Sequence, residues 1–282
     1  MIEAKKRFGQ NFLKDSTVLN KIIQSMSNTN RNVVEIGPGL GDLTQELLRE
    51  KSLIAYEVDK DLCVHLRKKF HKEIEENRLK LVEADVLECF EKGSLEDQPY
   101  DLVANLPYYI ATKIILEALE DPMCQSLLVM IQKEVALKFS AKPNTKEFSS
   151  LSILSQSIAK VTILFDVDQS SFEPPPKVIS SIISIKKNKE FYQKQDSLFD
   201  SISDFKQFKR YLRVAFASPR KTWIKNISAV YDKTKALDLL EEYNIPANFR
   251  PHQLCVNDHL NLFRELLKIK VNNGKEDNKH AQ

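Results

Sequence analysis

The chain has 282 residues, 42% apolar and 29% charged, with a formal net charge of only +3. These values fit a soluble globular protein with one large domain and a smaller one, and the near-neutral total by itself says nothing about nucleic acid. The longest apolar run, Leu127 to Ile131, is far too short to span a membrane, and the basic start at Lys5, Lys6 and Arg7 leads into no apolar segment. No secretory signal and no membrane partner are expected, and the expected location is cytoplasmic. Cys63, Cys89, Cys124 and Cys255 form no C-x-x-C pair and read as reduced thiols. His252 and His259 lack the spacing and companions of a zinc site, so no metal is expected.

Residues 5–13 are basic and aromatic without a period of 2 or 3.6, which predicts an arm that docks on the domain. Asp15 or Ser16 caps a short helix with Val18, Leu19, Ile22, Ile23 and Met26 on one face. Asn32 to Ile36 reads as a strand. It runs into Glu35-Ile36-Gly37-Pro38-Gly39-Leu40-Gly41-Asp42 and then an amphipathic helix with Leu43, Leu47 and Leu48. Strand, glycine loop and helix in this order make a nucleotide-binding turn. A dinucleotide fingerprint needs glycine where Asp42 stands, and the acid leading the loop suits an amine better than a pyrophosphate. S-adenosylmethionine (SAM) carries such an amine. A second strand, Leu53 to Tyr56, ends at Glu57, twenty residues after Gly37. That is the spacing of an acid that accepts both ribose hydroxyls. Asp59 and Asp61 are the better caps for the helix that follows.

A third strand, Leu79 to Val82, precedes Asp85, which either receives an adenine amine or simply makes a turn. The fourth, Leu102 to Ala104, ends in Asn105-Leu106-Pro107-Tyr108-Tyr109. Pro107 stops the strand and keeps Leu106 extended. The Asn105 side chain and the Leu106 carbonyl then offer two acceptors beside a phenol ring. That set suits a planar group bearing an NH2, such as a nucleobase, and a plain proline turn is the alternative. Leu127 to Ile131 is a fifth strand, Phe148 to Ile158 a helix, and Val161 to Phe165 and Val178 to Ile185 are late strands. Between these two, Phe172-Glu173-Pro174-Pro175-Pro176 is stiff, and Phe172 either enters the core or faces Tyr108 across a base. Residues 187–204 are polar and read as a linker. Residues 205–225 hold seven basic residues and no acid, with Phe205, Phe208 and Leu212 on one helical face. Lys209, Arg210, Arg213, Arg220 and Lys221 are therefore the phosphate-binding candidates. Helices follow at Ala236 to Tyr243 and His259 to Ile269, and the polar tail is expected to be disordered.

Five of these stretches resemble the small-subunit (16S) ribosomal RNA adenine N6,N6-dimethyltransferase family (the KsgA family): Lys6-Arg7-Phe8-Gly9-Gln10-Asn11-Phe12-Leu13, Glu35 to Gly39, Asn105 to Tyr108, Gln132-Lys133-Glu134-Val135, and Phe172 to Val178. Five motifs in one order over nearly the whole chain are a specific match. The resemblance implies an α/β fold. Its core would be a class I SAM-dependent methyltransferase, Rossmann-like, with a mostly parallel seven-stranded sheet and a small all-helical C-terminal domain. The division would be 1–186 catalytic with its arm, 187–204 linker, 205–270 RNA-binding and 271–282 tail.

Further implications concern roles. Asn11 and Leu13 line the cofactor pocket, Gly37 meets the methionine part, Glu57 the ribose and Asp85 the adenine amine. Asn105 touches cofactor and target, and Tyr108 and Phe172 sandwich a flipped adenine. The implied partner is 16S rRNA in pre-30S particles, met by a monomer. Ser149, Ser218-Pro219 and His252 depart from the family's usual residues and bear on RNA contact. The related 23S rRNA methyltransferase of the macrolide-resistance type and a non-catalytic RNA-binding assembly factor are the competing readings. A dehydrogenase is disfavoured by Asp42 and Glu35.

Overall fold

A computed structural model describes residue 5, residues 9–193, 195 and 197–276, with side chains to residue 268. Lys6, Arg7 and Phe8 of the arm motif, and residues 277–282 of the expected tail, lie outside the described residues. Two compact units are present: Met1–Leu137 with Ala159–Asn188, and Lys138–Ile158 with Lys189–Gln282.

The first unit opens with a two-residue strand β1 (Phe12–Leu13) and helix α1 (Ser16–Ser25), whose N-terminal N–H groups are capped by Asp15. Then alternate β2 (Asn32–Ile36), α2 (Asp42–Glu50), β3 (Leu53–Glu57), α3 (Lys60–Lys69) with the short α4 (His71–Glu75), β4 (Leu79–Glu83), α5 (Val86–Lys92), β5 (Tyr100–Asn105), α6 (Ala111–Glu120) and β6 (Cys124–Gln132). Helix α7 (Lys133–Ser140) and α8 (Ser150–Gln156) precede β7 (Ala159–Val167), the two-residue β8 (Phe172–Glu173) and β9 (Ser180–Lys187).

The main sheet runs β4-β3-β2-β5-β6-β9-β7. Its first five strands are parallel, while β9 is antiparallel to both β6 and β7. Central strands covered by helices on both faces must be apolar on both faces, and β3 is buried at all five positions. Edge strand β7 instead alternates between covered and exposed residues. The strand order reverses between β2 and β5, with β3 and β4 laid to one side of β2, and β5 and β6 to the other. The crevice outside the carboxyl ends of β2 and β5 is where an open α/β sheet takes a ligand.

The second unit is helical: α8, α9 (Ile202–Ala215), α10 (Trp223–Ile227), α11 (Lys233–Glu242) and α12 (Val256–Glu276). Its extent corrects the expected division in two places. Residues 138–158 belong to it, because α8 packs against α9 and α12. The expected linker is also part of its core: Phe191 stacks on Phe205 at 4.2 Å, and Phe199 meets Phe208 at 5.1 Å. These aromatics are scattered among polar residues, so no period betrays them. The helix expected to stop near residue 269 continues to Glu276.

At the three departures the backbone makes local bonds that do not depend on which side chain stands there. Ser149 donates its N–H to Ser152 Oγ (3.0 Å) at the start of α8, the Ser218 carbonyl takes Asn226 Nδ2 (3.1 Å), and the His252 carbonyl takes the Asn144 N–H (2.8 Å).

His259 is fully buried in this unit. Trp223 Nε1 donates to Tyr211 Oη (3.2 Å), Tyr211 bonds His259 Nδ1 (2.8 Å), and His259 Nε2 bonds the Pro251 carbonyl (2.8 Å). Since the Pro251 carbonyl can only accept, Nε2–H donates to it, and in the neutral ring Nδ1 accepts the Tyr211 hydroxyl. Burial pushes the imidazole down from 6.5 to about 4. The unfolded chain takes up a proton below 6.5 and the folded one only near 4. Stability is therefore complete above pH 6.5 and falls on acidification by about 1.4 kcal/mol per pH unit within that window. Urea melts followed by the single tryptophan, which sits in this network, should show the native chain losing stability more steeply than His259→Phe between pH 6.5 and 4, by about that slope. An identical pH dependence in both would refute the assignment.

Candidate active site

The glycine loop after β2 turns the chain into α2 with Gly37, Gly39 and Gly41 all at positive φ. A Cβ on Gly41 would stand 2.5 Å from the Phe70 ring, and one on Gly39 would stand 3.0 Å from Phe12. Both steric and backbone terms therefore demand glycine there. The loop is tied inward by Glu35, which is 1% exposed and accepts Thr44 Oγ1 at 2.7 Å. Burial raises its carboxyl to about 8, with Glu57 adding to the effect and Thr44 and Lys69 opposing it. Glu35 also lines the cavity at the carboxyl end of β2, where a cationic amine would favour its carboxylate form.

One cavity lies at the carboxyl ends of β2, β3, β4 and β5. It is lined by Asn11 and Leu13 from the arm, Gly37 and Gly39, Glu57, Asp85, and Asn105 to Tyr108. All the expected cofactor residues therefore converge on one space. Glu57 is 5% exposed and accepts the N–H groups of Asp59 (2.9 Å) and Gly39 (3.3 Å). Burial raises its pKa, and those N–H groups oppose the shift. Asp85 spends Oδ1 on the Leu87 N–H (2.8 Å), capping α5. It is both the turn residue and a cavity wall.

At the end of β5, Leu106 is 1% exposed and its N–H bonds the Met130 carbonyl (3.2 Å), so its backbone is fixed. Asn105 donates Nδ2 to the Asn11 carbonyl (3.1 Å), which leaves Oδ1 as the free end of the amide. The Tyr108 hydroxyl bonds Ser180, pinning the ring at the cavity wall.

Phe172 is a correction. It is 5% exposed, belongs to the apolar cluster with Leu13, Val167 and Ile182, and does not line the cavity. The cause is the pairing of β1 with β8, in the register Leu13↔Phe172 and Phe12↔Glu173, which lays the arm against it. The Tyr108–Phe172 sandwich is not assembled, and of that pair only Tyr108 lines the cavity. Among the lining residues, Val58, Leu62 and Ile110 were not singled out in the sequence, and Gly9, Gln10 and Tyr109 (61% exposed) were quoted there only within longer motifs, with no role. Tyr109 directly follows the Asn-Leu-Pro-Tyr stretch, and that adjacency was the available signal.

Of the basic candidates, Arg210, Arg213, Arg220 and Lys221 are exposed. Lys209 differs: it is half-buried with Nζ 4.9 Å from the Phe205 ring centre. Among the described residues no cluster of His, Cys, Asp and Glu could hold a metal ion, and no helix is long and apolar enough to cross a membrane.

A glycine loop, a ribose-spaced acid and a strand-end Asn-Leu-Pro-Tyr on this sheet define a class I SAM-dependent methyltransferase. A family model described as ribosomal RNA adenine dimethylase matches residues 1–268. The "Ribosomal RNA small subunit methyltransferase A" of Campylobacter curvus is 50% identical over all of this chain and 96% of that protein. That of Aliarcobacter butzleri is 50% identical over 97% of this chain and 98% of its own length. Among solved structures, a dimethyladenosine transferase from Plasmodium falciparum is 28% identical with a TM-score of 0.76, covering 91% of this chain and 98% of that one. The 23S rRNA methyltransferase ErmE, 22% identical with a TM-score of 0.68 over 91% of this chain and 99% of its own, shares the fold. The chain belongs to the ribosomal RNA adenine dimethylase family and is an rRNA methyltransferase that uses SAM.

Proposed function

We propose that the chain converts two adjacent adenosines in the 3′-terminal hairpin loop of 16S rRNA to N6,N6-dimethyladenosine, working as a monomer on pre-30S particles in the cytoplasm. The observation that carries this reading is Asn105. Its amide is fixed by the Asn11 carbonyl with Oδ1 free, beside the Leu106 carbonyl and the Tyr108 ring. The names of the relatives at half identity support the small-subunit target.

The cavity residues fit SAM. Glu57 accepts ribose hydroxyl protons, Asp85 keeps Oδ2 for the adenine amine, and exposed Val58 offers apolar surface to the purine. Gly37 leaves room for the methionine part, and Asn11 and Leu13 close the cavity from the arm. When bound, SAM supplies a methyl group on a sulfonium, electrophilic and without its own need for acid catalysis. The protein's task is then the adenine amine, whose lone pair is delocalised into the ring. Asn105 Oδ1 and the Leu106 carbonyl accept its two N–H bonds, localise the lone pair and aim it. Tyr108 stacks on the flipped base. No strong base is required, since the methylated amine is acidic enough to release its proton to water.

The direct test is primer extension across the 3′ hairpin of rRNA from cells with and without the gene. Dimethyladenine blocks polymerase, so the stop should vanish with the gene. A surviving stop would refute the assignment, and a stop lost from 23S rRNA instead would favour the macrolide-resistance reading.

Glu57→Gln keeps one acceptor oxygen for the backbone but loses the charge facing the ribose. SAM affinity should fall about tenfold, since a hydrogen bond to a charged group contributes roughly 1.5–3 kcal/mol. Calorimetry with unchanged affinity would make Glu57 only a support for the glycine loop.

A further inference from the structure

The Asn105 amide has nearly the same shape whichever way its oxygen and nitrogen point, so something other than packing must set its direction. The acceptor that does so is the Asn11 carbonyl, 3.1 Å from Nδ2. A carbonyl cannot pair with Oδ1, so the flipped amide would lose this bond and present a donor to the target amine. The position of Asn11 is itself fixed from two sides. On its C-terminal side the β1–β8 bridge and the Lys14 N–H to Ser171 carbonyl bond (2.9 Å) hold the chain. On its N-terminal side Gln10 does the work. Gln10 Nε2 donates to Asp59 Oδ2 (3.1 Å), and its Oε1 accepts the Lys5 N–H (2.7 Å). Asp59 is 2% exposed and sits two residues beyond Glu57, and its N–H is held by the Glu57 carboxylate. Its other oxygen, Oδ1, caps α3 through the Asp61 N–H (3.1 Å) and takes Lys5 Nζ (2.6 Å).

We infer that Gln10, latched to Asp59, is a positioning residue for methyl transfer: it holds the Asn11 carbonyl where that carbonyl orients the Asn105 amide. The latch also links the end of β3, which carries Glu57, to the end of β5, which carries Asn105. This inference rests on the proposed role of Asn105 as acceptor for the target amine. The competing role for Gln10 is simply to keep the arm over the cofactor, which would act on SAM affinity alone.

The two roles separate in a double-mutant cycle measured as kcat at saturating SAM and RNA. Gln10→Ala removes the bonds to Asp59 Oδ2 and from the Lys5 N–H but leaves the α3 cap on Oδ1 intact, so the melting temperature should change little. Gln10→Glu, which sets a carboxylate against Asp59 at unchanged length, serves as the second variant should alanine loosen the fold. In the native background either change should lower kcat about tenfold, the scale expected for a misaimed group. In an Asn105→Ala background the same change should lower kcat less than twofold, because the amide it orients is gone. Equal losses in both backgrounds, or no loss of kcat in the native one, would overturn the positioning role while leaving Asn105 as acceptor. A full rate in Asn105→Ala alone would overturn that reading and the latch with it.

Discussion

Asn105→Ala is expected to lower turnover on the order of a hundredfold or more, with RNA affinity almost unchanged. The magnitude is that of losing one preorganised acceptor from a transition state. Charge develops on the adenine nitrogen only as its lone pair moves to the methyl carbon, and the two acceptors hold the protons that become acidic at that moment. The loss should fall mainly on kcat, because stacking and phosphate contacts hold the RNA in the ground state. Some SAM affinity should go too, since Asn105 lines the same cavity, but less than the rate.

Asn105→Asp sharpens the test. A carboxylate still accepts the amine proton, so part of the rate should survive in Asp and not in Ala. Yet Asp has no N–H for the Asn11 carbonyl and would face that oxygen with like charge, so the full rate should not return. After the first transfer the amine keeps one proton, and one of its two bonds must be given up before the second. The ratio of mono- to dimethyladenosine should therefore differ among the three enzymes, as read by mass spectrometry of digested RNA. Equal rates and equal ratios in all three would reduce Asn105 to a turn residue.

What was legible in the sequence follows from local rules. Strands β2, β3, β5 and β6 read as apolar runs because both their faces are largely buried, whereas edge strand β4 carries exposed Lys80 and Glu83. The glycine loop read as a ligand turn because positive φ demands glycine, and Glu57 read from its spacing alone. What was not legible depends on pairs distant in sequence. The β1 and β8 strands have two residues each and thus no period, so their pairing, which buries Phe172, left no trace. Gln10 and Asp59 are 49 residues apart, and each alone is an ordinary surface residue type. The proline segment correctly signalled a fixed Phe172 but not the direction it was fixed in. In the helical unit, periodicity found α8 and α9 without revealing that they pack together, and the aromatics of residues 191–199 were hidden in a polar stretch.

The second large effect concerns RNA. On α9, Lys206, Arg210 and Arg213 stand at i, i+4 and i+7 and are all exposed, so they form one face opposite buried Phe205, Phe208 and Leu212. Arg220 and Lys221 are exposed in the turn that follows, which the Lys221 N–H closes on the Ser218 carbonyl (2.9 Å). A solvated helix of a near-neutral protein would normally intersperse acids, whereas the sequence from 205 to 225 has none. We therefore expect Arg210, Arg213, Arg220 and Lys221 to neutralise phosphates. Each such contact adds about 0.7–0.9 to the slope of log affinity against log salt through counterion release. Changing Arg210, Arg213 and Arg220 together to alanine should then reduce that slope by about 2–3 and weaken binding on the order of a hundredfold near physiological salt. SAM affinity should stay constant, because none of the three lines the cofactor cavity. Lys209→Ala is the internal contrast. With Nζ over the Phe205 ring, its loss should disturb the aromatic cluster and the melting temperature more than the salt slope. A triple variant that keeps the native slope would make this face merely solvated, and a Lys209→Ala slope change as large as that of Arg210→Ala would show that its ammonium turns outward to the RNA after all.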